Sequence, residues 1–125
     1  MSGLGQWRKK FRDAGRGIAV AVRFQSSLRV HLAVAVAVIG AGVLLGVTPT
    51  RLALLAGMCT LVIALEMVNT ALETLIKAHV AEPSEFAGRA LDIGAGAVLA
   101  ASIGAVVVGA LIFGQRIAEL LGPPG

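Results

Sequence analysis

Two stretches of this chain, residues 30–50 and residues 93–115, contain no Asp, Glu, Lys or Arg. A bilayer core is ~30 Å thick, and a helix needs ~20 predominantly apolar residues to cross it. Both stretches meet that length. A third segment, from Leu52 to about Ile76, is apolar except for Glu66, Asn69 and Glu73. Composition closes off the other classes. The chain is 57% hydrophobic and 14% charged, too little charge to cover the surface of a small soluble domain. Apolar content this high excludes disorder. Cys59 is the only cysteine, so no disulfide scaffold can form. The expected fold is an all-α membrane protein. An amphipathic surface helix over 1–29 precedes a three-helix transmembrane domain over 30–120, with spans at about 30–50, 52–76 and 92–115. Thr48-Pro49-Thr50-Arg51 reads as the turn between the first two spans, and the tail from Gly122 to Gly125 as frayed. A cleaved signal peptide fits poorly, because the first apolar run begins late and further spans follow.

The first thirty residues carry Arg8, Lys9, Lys10, Arg12, Arg16, Arg23 and Arg29 against one acid, Asp13. At helical pitch, Trp7, Phe11, Ala14, Ile18 and Ala21 share a face, with Arg12, Arg16 and Arg23 opposite. That is the pattern of a helix lying in a membrane interface beside anionic headgroups. A basic nucleic-acid-binding helix is the rival reading. The apolar face and the adjoining spans disfavour it. With the N-terminus in the cytoplasm, that side also holds Lys77 and Arg89, while the outside keeps Arg51 and Arg116. This satisfies the positive-inside rule.

Glu66, Asn69, Glu73 and Lys77 follow one another at spacings of three, four and four, so all lie on one helical stripe. A helix begun near Leu52 places Glu66 ~21 Å along its axis and Glu73 ~10 Å further. Glu66 is then near the cytoplasmic boundary and Glu73 at or beyond it. Acidic residues in a span are costly and face a cavity or partner, which makes the stripe a functional candidate. Glu73 and Lys77 also read as an i,i+4 ion pair at a helix end. Asp92 in the first turn of the third span suits the helix dipole, and Arg89 sits nearby. His31 stands at a membrane boundary, where hydrogen bonding is the simplest role. No zinc pattern, P-loop or dinucleotide fingerprint is present.

The run Glu66-Met67-Val68-Asn69-Thr70-Ala71-Leu72-Glu73 resembles the ExxNTAxE signature of the small bacterial diacylglycerol kinase and undecaprenol kinase family. Ala14-Gly15-Arg16-Gly17-Ile18 resembles that family's surface-helix segment. Leu28-Arg29-Val30-His31-Leu32 resembles the entry to its first span, in the manner of the undecaprenol branch. Asp92-Ile93-Gly94-Ala95-Gly96-Ala97-Val98 resembles the start of its third. The resemblance implies a homotrimer in the bacterial inner membrane with composite sites at the cytoplasmic boundary. It implies transfer of the ATP γ-phosphoryl group to a lipid hydroxyl with Mg²⁺, on undecaprenol or diacylglycerol. Carried over by match, Glu66 is the general base and Glu73 a Mg²⁺ ligand. Asn69 holds polar groups or phosphate, and Arg89 and Asp92 serve the nucleotide.

Three positions depart from the family pattern. Gln25 stands where the family has a metal-ligating Glu, so it offers an oxygen without a charge. Leu91 stands where the family has a phosphate-binding Lys, and Lys77 where it has an Asp. Lys77, one turn beyond Glu73, is the candidate to take over the phosphate contact. Two other readings stay open. One is a noncatalytic or altered kinase-like protein that binds lipid. The other is a transporter or channel subunit, which the lack of polar residues through Leu52–Leu65 disfavours.

Overall fold

A computed structural model describes residues 3–82 and 84–122. Among them the chain forms four helices: α1 (Gly3–Phe24), α2 (Ser26–Leu45), α3 (Pro49–His79) and α4 (Glu85–Leu121). The frayed tail expected at the C-terminus lies, beyond Gly122, outside the described residues. Helices α2, α3 and α4 are each long and apolar enough to cross a membrane. They overrun the uncharged windows at most of their ends, because a backbone hydrogen-bond ladder does not stop where charges begin.

The sequence dictates each boundary. α1 ends at Phe24, and Gln25 takes an extended conformation before α2 starts. The Arg29 guanidinium reaches back to donate to the carbonyls of Val22 and Arg23, both at 2.8 Å. A cation thereby satisfies the exposed C-terminal carbonyls of α1. The turn between α2 and α3 falls earlier than the sequence suggests. It is made by Gly46, at φ 70°, followed by Val47 and Thr48. Only glycine takes that left-handed conformation without a steric penalty. Thr48 then caps α3 by accepting from the Arg51 N–H, and Pro49 opens the helix rather than the turn. Ser84 caps α4 by accepting from the Ala87 N–H.

The three long helices run up, down and up. At one end, Arg116 donates through Nε to the Leu45 carbonyl at 2.6 Å, and Arg51 pairs with Glu119 at 2.9 Å. Arg116 also reaches Glu119, at 3.3 Å. This clamp joins the end of α2, the start of α3 and the end of α4. Hydrogen bonds from Arg51 and then Arg116 hold the Glu119 carboxyl below the usual glutamate value. Beneath the clamp Val47, Leu55 and Ile112 form a small core. Packing is most extensive between α3 and α4, less between α2 and α3, and slight between α2 and α4. α2 and α4 therefore flank α3 and leave an apolar cleft of about 550 Å³, lined by all three.

Only 11% of the most apolar window of α2, 22% of that of α3 and 11% of that of α4 is buried within the chain. In water such exposure would be prohibitive, so these faces require lipid or further protein. α1 touches the bundle through Ala21 alone among its residues that are fully buried. Leu4, Trp7, Phe11 and Ile18, which share one face at helical spacing, are exposed.

Candidate functional site

The buried face of α3 is a single stripe: Leu55, Val62, Glu66 and Asn69. Two of its four members are polar, and each is 7% exposed. A carboxylate in that position is costly unless hydrogen-bonded. Glu66 finds its partners on α2. The Ser27 hydroxyl donates to Glu66 Oε1 at 2.6 Å, the short distance of a bond to a charged acceptor. His31 Nε2 lies 3.7 Å from Glu66 Oε2, outside hydrogen-bonding range and within that of an ion pair. Ser27 and His31 are four residues apart, so both face α3. Between them Leu28 is 1% exposed and fixes this face of α2 against the bundle. His31 also lines the apolar cleft. Glu66 does not line that cleft itself; it lies beside it, facing the lining residue His31.

One turn along, Asn69 Nδ2 donates to Glu73 Oε1 at 3.3 Å. Its Oδ1 is buried and accepts from no donor among the described residues. The amide lies against Gly94 of α4, where an added Cβ would collide with Oδ1. Gly94 is therefore the residue that lets α4 close over Asn69. Glu73 is half-buried and Lys77 exposed. The stripe runs from the interior outward, as its spacing predicts. The Thr70 and Thr74 hydroxyls donate to the carbonyls of Glu66 and Thr70, so they spend their hydrogen bonds within α3.

The remaining candidates are not drawn into this cluster. No ion pair forms between Glu73 and Lys77; Glu73 takes its hydrogen bond from Asn69, and Lys77 extends into the surroundings. Arg89 pairs with Glu85 at 2.6 Å, one turn back on its own helix, and lies 5.8 Å from the Phe86 ring centroid. Asp92 is exposed, one turn before Gly96 and two residues from Gly94. Gln25 sits in the break between α1 and α2, and its side chain makes no cap hydrogen bond. Leu91 is partly buried on α4. Neither Ser27 nor Gly94 is singled out as a site residue by the sequence. The signal for Ser27 was its i,i+4 spacing to His31. For Gly94 there was none, since the contact it permits is made by another helix.

Among the described residues no three His, Cys, Asp or Glu side chains converge as a metal cage. Mg²⁺ does not require such a cage, because it keeps waters and binds through one or two carboxylates plus substrate phosphates. The Glu73 carboxylate, half-buried at the outer end of the stripe, accepts from Asn69 through Oε1.

Comparison with known proteins bears on this geometry. The family model described as prokaryotic diacylglycerol kinase matches residues 12–113. A diacylglycerol kinase from Synechocystis sp. (strain ATCC 27184 / PCC 6803 / Kazusa) is 42% identical over 112 residues. The match covers 89% of this chain and 64% of that relative, so the chain spans less than two thirds of the relative's length. Both matches include Glu66, Asn69 and Glu73 or the helices around them: the family match contains α2 and α3 entire.

Proposed function

The chain belongs to the prokaryotic diacylglycerol kinase family, and from that premise we propose that it transfers the γ-phosphoryl group of ATP to the hydroxyl of a membrane lipid. The observation that carries this reading is the position of Glu66. A buried carboxylate lies next to an apolar cleft, bonded by a hydroxyl on one oxygen and faced on the other by His31, which lines the cleft. A cleft of about 550 Å³ is within the ~300–1,000 Å³ of small-molecule sites. Its lining suits a hydrocarbon tail, and a hydroxyl carried at the His31 side of the cleft would meet Glu66.

Each residue has a task in this reaction. Glu66 accepts the proton of the lipid hydroxyl. The hydroxyl oxygen bonds to the γ-phosphorus, and the bond from that phosphorus to the ADP oxygen breaks as ADP leaves with the electron pair. Positioning and charge neutralisation are the main contributions a protein makes to such a transfer. Asn69 orients the Glu73 carboxylate. Glu73 would hold Mg²⁺, an ion that neutralises phosphate charge when bound. Lys77, exposed one turn beyond Glu73, reaches for nucleotide phosphate in the place vacated at Leu91. Gln25, Arg89 and Asp92 stand on the same side of the bundle and are assigned to the nucleotide and its ion. A second chain would complete this side, and the exposed apolar faces of α2, α3 and α4 support assembly, here read as a homotrimer.

α1 is assigned to the membrane interface, with its face of Leu4, Trp7, Phe11 and Ile18 in lipid and its cations among headgroups. The clamp end of the bundle then faces outward from the cytoplasmic (inner) membrane, and Glu66 lies near the cytoplasmic boundary. The acceptor is undecaprenol or diacylglycerol, and the resemblance of Leu28–Leu32 to the undecaprenol branch tilts the reading toward undecaprenol. Purified protein in mixed micelles, given γ-labelled ATP, Mg²⁺ and each lipid separately, tests the reading. Labelled undecaprenol above labelled diacylglycerol supports it. The reverse order reassigns the acceptor, and label in neither lipid refutes the kinase.

A further inference from the structure

The two oxygens of Glu66 are not equivalent. Oε1 receives the Ser27 hydroxyl at 2.6 Å, while Oε2 has only His31, at 3.7 Å and too far to donate. We infer that Ser27 is a positioning residue that reserves Glu66 Oε2 as the proton acceptor, on the side of His31 and the apolar cleft. The inference rests on the kinase reading and adds to it the atom that acts and the residue that selects it.

A carboxylate can rotate about its last torsion, and the preference for any one angle there is weak. Buried on the α3 stripe, Glu66 has no other side-chain donor among the described residues to fix that angle. The Ser27 bond supplies the constraint. It joins residues 39 apart in sequence, so it also ties the start of α2 to the middle of α3. The Ser27 bond lowers the basicity of Oε1, and Oε2, with no donor within hydrogen-bonding distance, is the more basic acceptor for an incoming hydroxyl. His31 lines the cleft, so a lipid whose tail lies there presents its hydroxyl to that oxygen. As the proton reaches Oε2, the hydroxyl oxygen bonds to the γ-phosphorus and ADP departs with the electron pair of the broken bond. Ser27 keeps its own proton throughout and acts only through Glu66.

The test compares Ser27→Ala, Ser27→Thr and Ser26→Ala in mixed micelles with γ-labelled ATP. Ser26 and Ser27 are both exposed, and of the two it is Ser27 that bonds to Glu66. Ser27→Ala should lower kcat by on the order of tenfold to a hundredfold, as loss of a group that orients a catalytic residue does. KM for lipid and for ATP should stay close to the unsubstituted values. Ser27→Thr keeps the hydroxyl and should restore most of kcat, and Ser26→Ala should match the unsubstituted chain. Thermal unfolding in the same micelles separates this from misfolding: Ser27→Ala loses the α2–α3 bond and should melt somewhat below Ser27→Thr, yet both should remain folded at the assay temperature. Unchanged kcat in Ser27→Ala overturns the inference, as does a loss confined to KM or an equal loss in both Ser27 variants. No product from the unsubstituted chain overturns the kinase reading instead, and that outcome is separate from the others.

Discussion

Replacing Gly94 with Ala should weaken the fold, although alanine is the better helix former. In an open helix interior this exchange gains ~0.8–1 kcal/mol. At Gly94 the new Cβ would collide with Asn69 Oδ1, and it would lie 3.4 Å from Asn69 Cγ and 3.5 Å from Leu72 Cδ1. Overpacking of this kind costs ~1–3 kcal/mol. Moving the amide aside also breaks its 3.3 Å bond to Glu73, worth ~1 kcal/mol at that length. The sum is a net loss of ~1–3 kcal/mol. Gly96 is the control, since a Cβ there meets nothing within 4 Å. Reversible unfolding in mixed micelles, followed by far-ultraviolet circular dichroism as the denaturing detergent fraction rises, should place Gly94→Ala below the unsubstituted chain. Gly96→Ala should equal or exceed it. The gap between the two variants should be ~2–4 kcal/mol, at least a tenfold difference in folding equilibrium. Equal stability of the two variants would refute the account of how α4 closes over Asn69.

Two further outcomes follow from other parts of the chain. The Arg51–Glu119–Arg116 clamp holds the Glu119 carboxyl below its usual value, so its contribution is complete above pH ~5 and is lost as pH falls through the folded value, below ~4.3. Melting temperature measured from pH 7 to pH 3 should show this acid loss in the unsubstituted chain and a smaller one in Glu119→Gln; identical slopes would remove the clamp from the account. Arg29→Met deletes both hydrogen bonds to the last carbonyls of α1, an interaction worth ~0.3–1 kcal/mol at an exposed helix end. Hydrogen exchange should quicken in the last turn of α1 and stay unchanged in the middle of α3; no change at α1 would show that Arg29 does not cap it.

The spans were legible because lipid imposes a simple rule: a long run without charge. The stripe was legible because helical period alone aligns Glu66, Asn69 and Glu73, and burial falls along it in the expected order. Less legible was the turn. Pro49 drew attention as a breaker, yet proline is tolerated in the first turn of a helix, and Gly46 does the turning. The ion pair expected between Glu73 and Lys77 shows the limit of spacing arguments. An i,i+4 separation permits contact, and a nearer amide on the same helix face took the carboxylate instead. The partners of Glu66 were out of reach for a different reason. Ser27 and Glu66 meet only because α2 and α3 pack with Leu28 fully buried between the helices, and no local pattern encodes that register.

The central claim is that Glu66 accepts the lipid's proton in an ATP-dependent transfer, and Glu66→Gln tests it most directly. Glutamine preserves shape and can still accept from Ser27, but it cannot take a proton. The account predicts that kcat for lipid phosphorylation falls by ~10²–10⁴-fold, while ATP binding, measured separately by equilibrium titration, is retained. Full turnover in Glu66→Gln would contradict the account, whatever lipid is phosphorylated.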